Sequence, residues 1–131
     1  MTEGPADPRP LLIVDDERGM RDTLVDILEE LGFRIDQAAN GQEAVDKVEA
    51  HDYGLVLMDI RMPVMNGVEA LRRVKELCSE LPVIMMTAYT DAVAVEEARC
   101  QGAEEVMYKP LDIPELLRLI QLALVPAGRG E

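Results

Sequence analysis

Short unbroken apolar runs recur along this chain, each followed by a longer stretch in which apolar residues return every three or four positions. The runs are Leu11–Val14 (LLIV), Gly54–Met58 (GLVLM), Val83–Met86 (VIMM) and Val106–Tyr108 (VMY), with a weaker one at Phe33–Ala38. Runs without polar alternation suit strands covered on both faces, as in parallel sheets. Between the first two, Met20, Leu24, Ile27, Leu28 and Leu31 form one helical stripe, which Gly32 closes. Further helices are expected over Gly41–His51, Gly67–Ser79, Asp91–Gln101 and Ile113–Leu124. Five strand-then-helix units require right-handed crossovers, so the expected fold is α/β, a doubly wound five-stranded parallel sheet. Residues 1–9 hold two prolines and little apolar surface, and Val125–Glu131 (VPAGRGE) is rich in Pro and Gly. Both read as tails, the second as a tail or the start of a linker, around one domain spanning 10–124.

Polar residues stand where these runs end: Asp15 and Asp16 after the first, Asp59 after the third, Thr87 after the fourth, Lys109 after the fifth. Ligands bind at that edge of doubly wound sheets. With the flavodoxin-like strand order 2-1-3-4-5, the first and third strands are neighbours at the switch point and their three carboxylates share one crevice. Mutual repulsion makes such a cluster tolerable only when it is protonated or neutralised by a cation. An all-oxygen donor set points to a hard ion. Mg²⁺ fits best, since it takes one or two carboxylates, keeps several waters and completes its shell with phosphoryl oxygens, with Mn²⁺ as a substitute. A carboxylate can attack phosphorus to give an acyl phosphate, and Asp59 is the central one. Lys109 would then offer a positive charge, and the Thr87 hydroxyl a hydrogen bond, to the phosphoryl oxygens. Each signal has a plainer alternative. Asp15-Asp16 would complement a helix N-terminus, Lys109-Pro110 would be a surface loop and Thr87 a turn residue. Agreement at four strand ends within one topology favours the shared site.

The motifs IVDDE at 13–17, VLMDIRMPVMNG at 56–67, MTA at 86–88 and KP at 109–110 resemble those of the response-regulator receiver domains of two-component signalling, over residues 10–124. The resemblance implies a CheY-like phosphoacceptor, with Asp59 phosphorylated by a phosphohistidine on a sensor histidine kinase or a phosphotransfer protein. It implies that Asp16, Asp59 and the backbone carbonyl of Arg61 ligate Mg²⁺, that Asp15 holds it through water, and that Thr87 and Lys109 grip the phosphoryl group. It also implies a cis Lys109-Pro110 peptide. Arg61 and Tyr89 occupy positions that tune hydrolysis of the acyl phosphate in similar proteins; with Ala88, Val106 and Pro110 they make up the expected switch and tuning set. One position departs from the pattern. Family members usually carry Tyr or Phe three residues before the lysine, and here that residue is Val106, whose single χ angle cannot swing a ring. Activation is therefore expected to rest on the loop after Thr87 and on the fourth helix. Tyr108 shares a face with Val106 by alternation and could offer a substitute ring, though a core or edge tyrosine is the favoured reading.

The 26 acidic and 13 basic residues give a formal charge of −13, a field that repels a phosphate backbone, so direct nucleic-acid binding is not expected. Cys78 and Cys100 show no metal or disulfide spacing, and no apolar run approaches the ~18 residues of a membrane span. A soluble cytoplasmic protein without membrane insertion is expected. In the last helix, ELLRLIQLAL has a narrow polar stripe of Glu115, Arg118 and Gln121, so Leu119 or Leu122 should face outward. That is the expected contact for a downstream protein effector, or for a homodimer through the fourth and fifth helices. The expected role is regulatory rather than enzymatic, limited to self-catalysed phosphorylation and dephosphorylation. Alternatives are a small Mg²⁺-dependent aspartyl-phosphate phosphatase, an FMN-binding flavodoxin-like domain, or a degenerate receiver acting by contact alone. The phosphatase would place Asp-x-Asp after the nucleophile strand, and Asp15-Asp16-Glu17 would repel an FMN phosphate.

Overall fold

A computed structural model of the protein describes residues 9–88 and 92–124. Five strands, β1 (Leu11–Val14), β2 (Ile35–Ala38), β3 (Leu55–Asp59), β4 (Val83–Thr87) and β5 (Glu105–Tyr108), alternate with five helices, α1 (Arg18–Glu30), α2 (Gly41–Ala50), α3 (Gly67–Leu77), α4 (Ala92–Cys100) and α5 (Ile113–Ala123). The sheet is parallel in the order β2-β1-β3-β4-β5, as expected from the sequence. The expected tails, apart from Arg9, lie outside the described residues, as do Tyr89 and the expected start of the fourth helix at Asp91.

Every residue of β1, β3 and β4 is buried, because helices cover both faces of the sheet. Alternation divides these side chains between two layers. Leu12, Val14, Val56, Met58, Val83 and Met85 pack against α2, α3 and α4. Leu11, Ile13, Leu55, Leu57, Ile84 and Met86 pack against α1 and α5. The edge strand β2 has only Ala38 buried, which explains its weak apolar signal in the sequence.

Phe33, expected within that strand, belongs instead to the stop of α1. Gly32 adopts φ +100°, its N–H donates to the Glu29 carbonyl at 3.0 Å, and the Phe33 N–H donates to the Leu28 carbonyl at 3.1 Å. This pair of bonds closes a helix through a left-handed glycine and turns the next apolar side chain inward. Starts are equally local: the side chains of Asn40, Asn66 and Asp112 accept from the N–H groups of Glu43, Glu69 and Glu115. These caps fix where α2, α3 and α5 leave the site edge of the sheet.

Val106 is buried in the layer with α2, α3 and α4, while Tyr108 is about half exposed at the end of β5. On α5, Leu122 carries the outward apolar exposure; Leu119 does not, because it packs partly against the layer shared with α1. Cys78 and Cys100 are free and exposed. Among the described residues no helix is long and apolar enough to cross a membrane.

Candidate functional site

The parallel register sets the ends of β1, β3, β4 and β5 side by side, since Val14 pairs with Met58, Asp59 with Met86 and Thr87 with Tyr108. Asp15, Asp59 and Thr87 are buried there, and Asp16 is exposed. Carboxylate oxygens of Asp15, Asp16 and Asp59 all lie within 4.8 Å of one another. Lys109 reaches in from β5: its Nζ donates to Asp59 Oδ2 at 2.9 Å and to Asp15 Oδ2 at 3.1 Å. The second oxygen of each carboxylate accepts from nearby backbone, Asp15 Oδ1 from the Glu17 N–H at 3.0 Å and Asp59 Oδ1 from the Arg61 N–H at 3.1 Å. The Lys109-Pro110 peptide is cis, and the Lys109 N–H donates to the Thr87 carbonyl at 2.8 Å, tying the lysine to the end of β4.

Charge is unbalanced in this crevice. Burial pushes the Asp59 carboxyl above its ordinary value; the Lys109 ammonium and the Arg61 amide pull it down without cancelling that rise, and the Asp15 charge adds to it. For Lys109, burial acts to lower the ammonium, but its contacts with Asp59 and then Asp15 outweigh burial and leave its pKa above that of an ordinary lysine. One ammonium cannot offset three carboxylates. A hard cation with an all-oxygen preference supplies what is missing, and the donor set fits Mg²⁺.

The loop after β3 holds Asp59 closely. The Ile60 N–H donates to the Met86 carbonyl at 2.8 Å, and the Gly67 N–H to the Ile60 carbonyl at 2.7 Å. A Cβ on Gly67 would stand 2.2 Å from the Asp59 carbonyl oxygen, so only glycine lets α3 begin against the end of β3. Within this loop Val64 takes φ +72°, a left-handed conformation that a β-branched residue rarely adopts, with its side chain 82% exposed. Arg61 and Met62 face a groove of about 460 Å³ that runs from this loop to α4. Ala88, next to Thr87, is exposed, as is Pro110.

Two neighbours of the site, Arg21 and Gln37, are not singled out by the sequence. Arg21, on the first turns of α1, donates from Nη1 to the Asp15 carbonyl at 2.6 Å and from Nε to Gln37 Oε1 at 2.9 Å. In the sequence Arg21 reads as one more charge on a polar helix face; its place four residues after Glu17, in the turn beside the acidic loop, is the available signal.

Residues 11–121 match the family model of the response regulator receiver domain. The chain is 40% identical over 106 residues to sporulation initiation phosphotransferase F of Bacillus subtilis (strain 168), covering 81% of this chain and 86% of that protein. Its fold is similar to the crystal structure of a response regulator receiver domain protein (CheY-like) from Methanospirillum hungatei JF-1, with a TM-score of 0.86 and 31% identity over 90% of this chain and 94% of that one. It is also similar to a chain of the CheX-CheY-BeF3-Mg+2 complex from Borrelia burgdorferi, with a TM-score of 0.83, 34% identity and 91% of each chain covered. Several other curated relatives are longer, and this chain spans only 25% to 60% of their length.

Proposed function

The chain belongs to the response regulator receiver domain family, and we propose from that premise that it takes a phosphoryl group onto Asp59 from a phosphohistidine of a sensor histidine kinase or phosphotransfer protein. The observation that carries this reading is the Lys109 ammonium bridging the buried carboxylates of Asp15 and Asp59 beside the exposed Asp16. A carboxylate oxygen of Asp59 attacks phosphorus, the P–N bond to the donor imidazole breaks, and its electron pair leaves with the imidazole, which takes up a proton. Lys109, already at the nucleophile, turns to a phosphoryl oxygen, and Thr87 donates to another from the end of β4. Asp16, Asp59 and the Arg61 carbonyl are the residues that would hold Mg²⁺, with Asp15 acting through water. When bound, Mg²⁺ offsets the carboxylates and draws charge from the phosphoryl oxygens; Mn²⁺ would serve in its place. The similarity to a chain of the Borrelia burgdorferi complex, which includes BeF3 and Mg²⁺, supports this assignment.

The chain acts in this reading as a cytoplasmic switch within residues 10–124 rather than as an enzyme with an external substrate. Arg61 and Tyr89 tune the lifetime of the acyl phosphate, Ala88 and Pro110 belong to the same switch set, and Val106 leaves the readout to the loop after Thr87 and α4. Output goes to a protein effector or a second copy through α4 and α5, where Leu122 is 58% exposed; no direct nucleic-acid contact is involved.

Intact mass after incubation with acetyl phosphate and MgCl₂ tests the reading. A gain of about 80 Da that needs Mg²⁺ and vanishes in Asp59→Asn is expected. If neither an adduct nor beryllofluoride binding is seen, the protein is a receiver that signals by contact alone.

A further inference from the structure

The main-chain carbonyl of Asp15 sits where the sheet runs out. The Asp15 N–H still donates to the Ala38 carbonyl at 3.2 Å, continuing the β1–β2 ladder. The parallel register would offer the Asp15 carbonyl to the amide of Asn40, two residues past Ala38. There the ladder has ended, and Asn40 serves as the N-cap of α2. Arg21 takes the place of the missing strand residue, donating to that carbonyl at 2.6 Å while Gln37 holds its Nε at 2.9 Å.

This bond fixes the plane of the Asp15-Asp16 peptide, and that plane sets where Asp16 points. With its own N–H on the Ala38 carbonyl, the Glu17 N–H on Asp15 Oδ1 and Lys109 on Oδ2, Asp15 is then held at four points. Asp16 is the exposed member of the carboxylate cluster, so its direction depends on the peptide before it. We infer that Arg21, braced by Gln37, is a positioning residue that aims Asp16 for divalent-metal binding. The inference rests on the phosphoacceptor reading above. It differs in sign from a purely electrostatic role, because a guanidinium near the site opposes cation binding and its removal would tighten it.

The test is titration of the full chain with MgCl₂, followed by amide NMR, alongside urea unfolding in EDTA. Arg21→Met, which keeps the apolar stem, should weaken Mg²⁺ binding roughly tenfold, the scale seen when a residue that orients a metal ligand is lost. Arg21→Lys keeps one donor for the carbonyl and should fall between that variant and the wild type; Gln37→Ala should weaken binding in the same direction. A general loss of packing would lower stability in EDTA without this ordering of Mg²⁺ affinities. Unchanged or tighter Mg²⁺ binding in Arg21→Met, beside normal binding by the wild type, overturns the inference and leaves the phosphoacceptor reading intact. Should Arg21→Met not fold, Arg21→Lys and Gln37→Ala decide, and wild-type affinity in both overturns it. A wild type that binds no Mg²⁺ removes the phosphoacceptor reading and this inference with it.

Discussion

Lys109 donates from Nζ to Asp59 Oδ2 across 2.9 Å, joining the end of β5 to the end of β3. The same ammonium is shared with Asp15, so the folded protein carries excess negative charge in a buried crevice. Asp59→Asn should therefore raise stability in EDTA by about 1 kcal/mol, and Lys109→Ala should lower it by about 3 kcal/mol, since it leaves two buried carboxylates uncompensated. Urea unfolding with and without MgCl₂ checks both. Added Mg²⁺ should stabilise the wild type more than Asp59→Asn, and equal stabilisation would contradict the assigned metal site.

Asp36 gives the clearest pH signature away from the site. Burial alone would raise its carboxyl; the Tyr53 hydroxyl, with the Gln37 amide and Lys47, outweighs that and leaves it below its ordinary value. A carboxyl depressed by folding contributes stability above its unfolded pKa of about 3.9, and the contribution is lost as pH falls through the folded value. Tyr53→Phe should cost about 1 kcal/mol at pH 7, with the difference from wild type shrinking toward pH 3. A pH-independent difference in urea midpoints would assign the loss to packing instead.

Val64→Gly should stabilise the protein. The left-handed backbone at φ +72° costs an L-residue about 1–2 kcal/mol, while glycine adds roughly 0.5–1 kcal/mol of unfolded-state entropy, leaving a gain of about 0.5–1 kcal/mol. At 82% exposure the side chain gives up little burial. A lower thermal midpoint for the variant would show that Val64 makes a contribution its exposure hides.

Gly67→Ala should do the reverse. Its Cβ would meet the Asp59 carbonyl oxygen at 2.2 Å and the Ile60 Cα at 2.7 Å, both backbone atoms with no freedom to swing aside. Overpacking of this kind costs about 1–3 kcal/mol, and here the upper end is expected because α3 must pull away from β3. Phosphorylation from acetyl phosphate, read by intact mass, should fall along with stability. A variant of full stability and normal phosphorylation would mean the junction yields more easily than its geometry implies.

Leu122→Glu should leave monomer stability within about 0.5 kcal/mol, whereas Leu116→Ala, on the buried face of the same helix, should cost about 2–5 kcal/mol. Sedimentation with beryllofluoride and Mg²⁺ then reads whether Leu122 contributes to self-association.

Fold and site were legible in the sequence to different depths. The buried strands announced themselves because both faces are covered, so LLIV and VIMM need no alternation to be read. The convergence of Asp15, Asp59, Thr87 and Lys109 was legible because topology, rather than sequence proximity, brings strand ends together. Phe33 misled because an apolar residue after a C-terminal glycine looks the same whether it opens a strand or closes a helix. Leu119 could not be separated from Leu122 on a helix with so narrow a polar stripe; packing against the α1 layer made the distinction. Arg21 offers only its place one turn after Glu17, and Gln37 offers no signal, because a side chain's grip on a carbonyl depends on where a neighbouring strand stops. No composition or period records that.

The bond between Lys109 and Asp15 spans 94 residues, almost the whole described fold. A growing chain therefore makes Asp15 early and its counter-charge late, about 5–20 s apart at ordinary rates of synthesis. Until β5 arrives, the ends of β1 and β3 repel each other at the point where they must meet. Lys109 is thus also the closing fastener of the sheet, and the edge of the molecule that gathers the acids is the last to become secure.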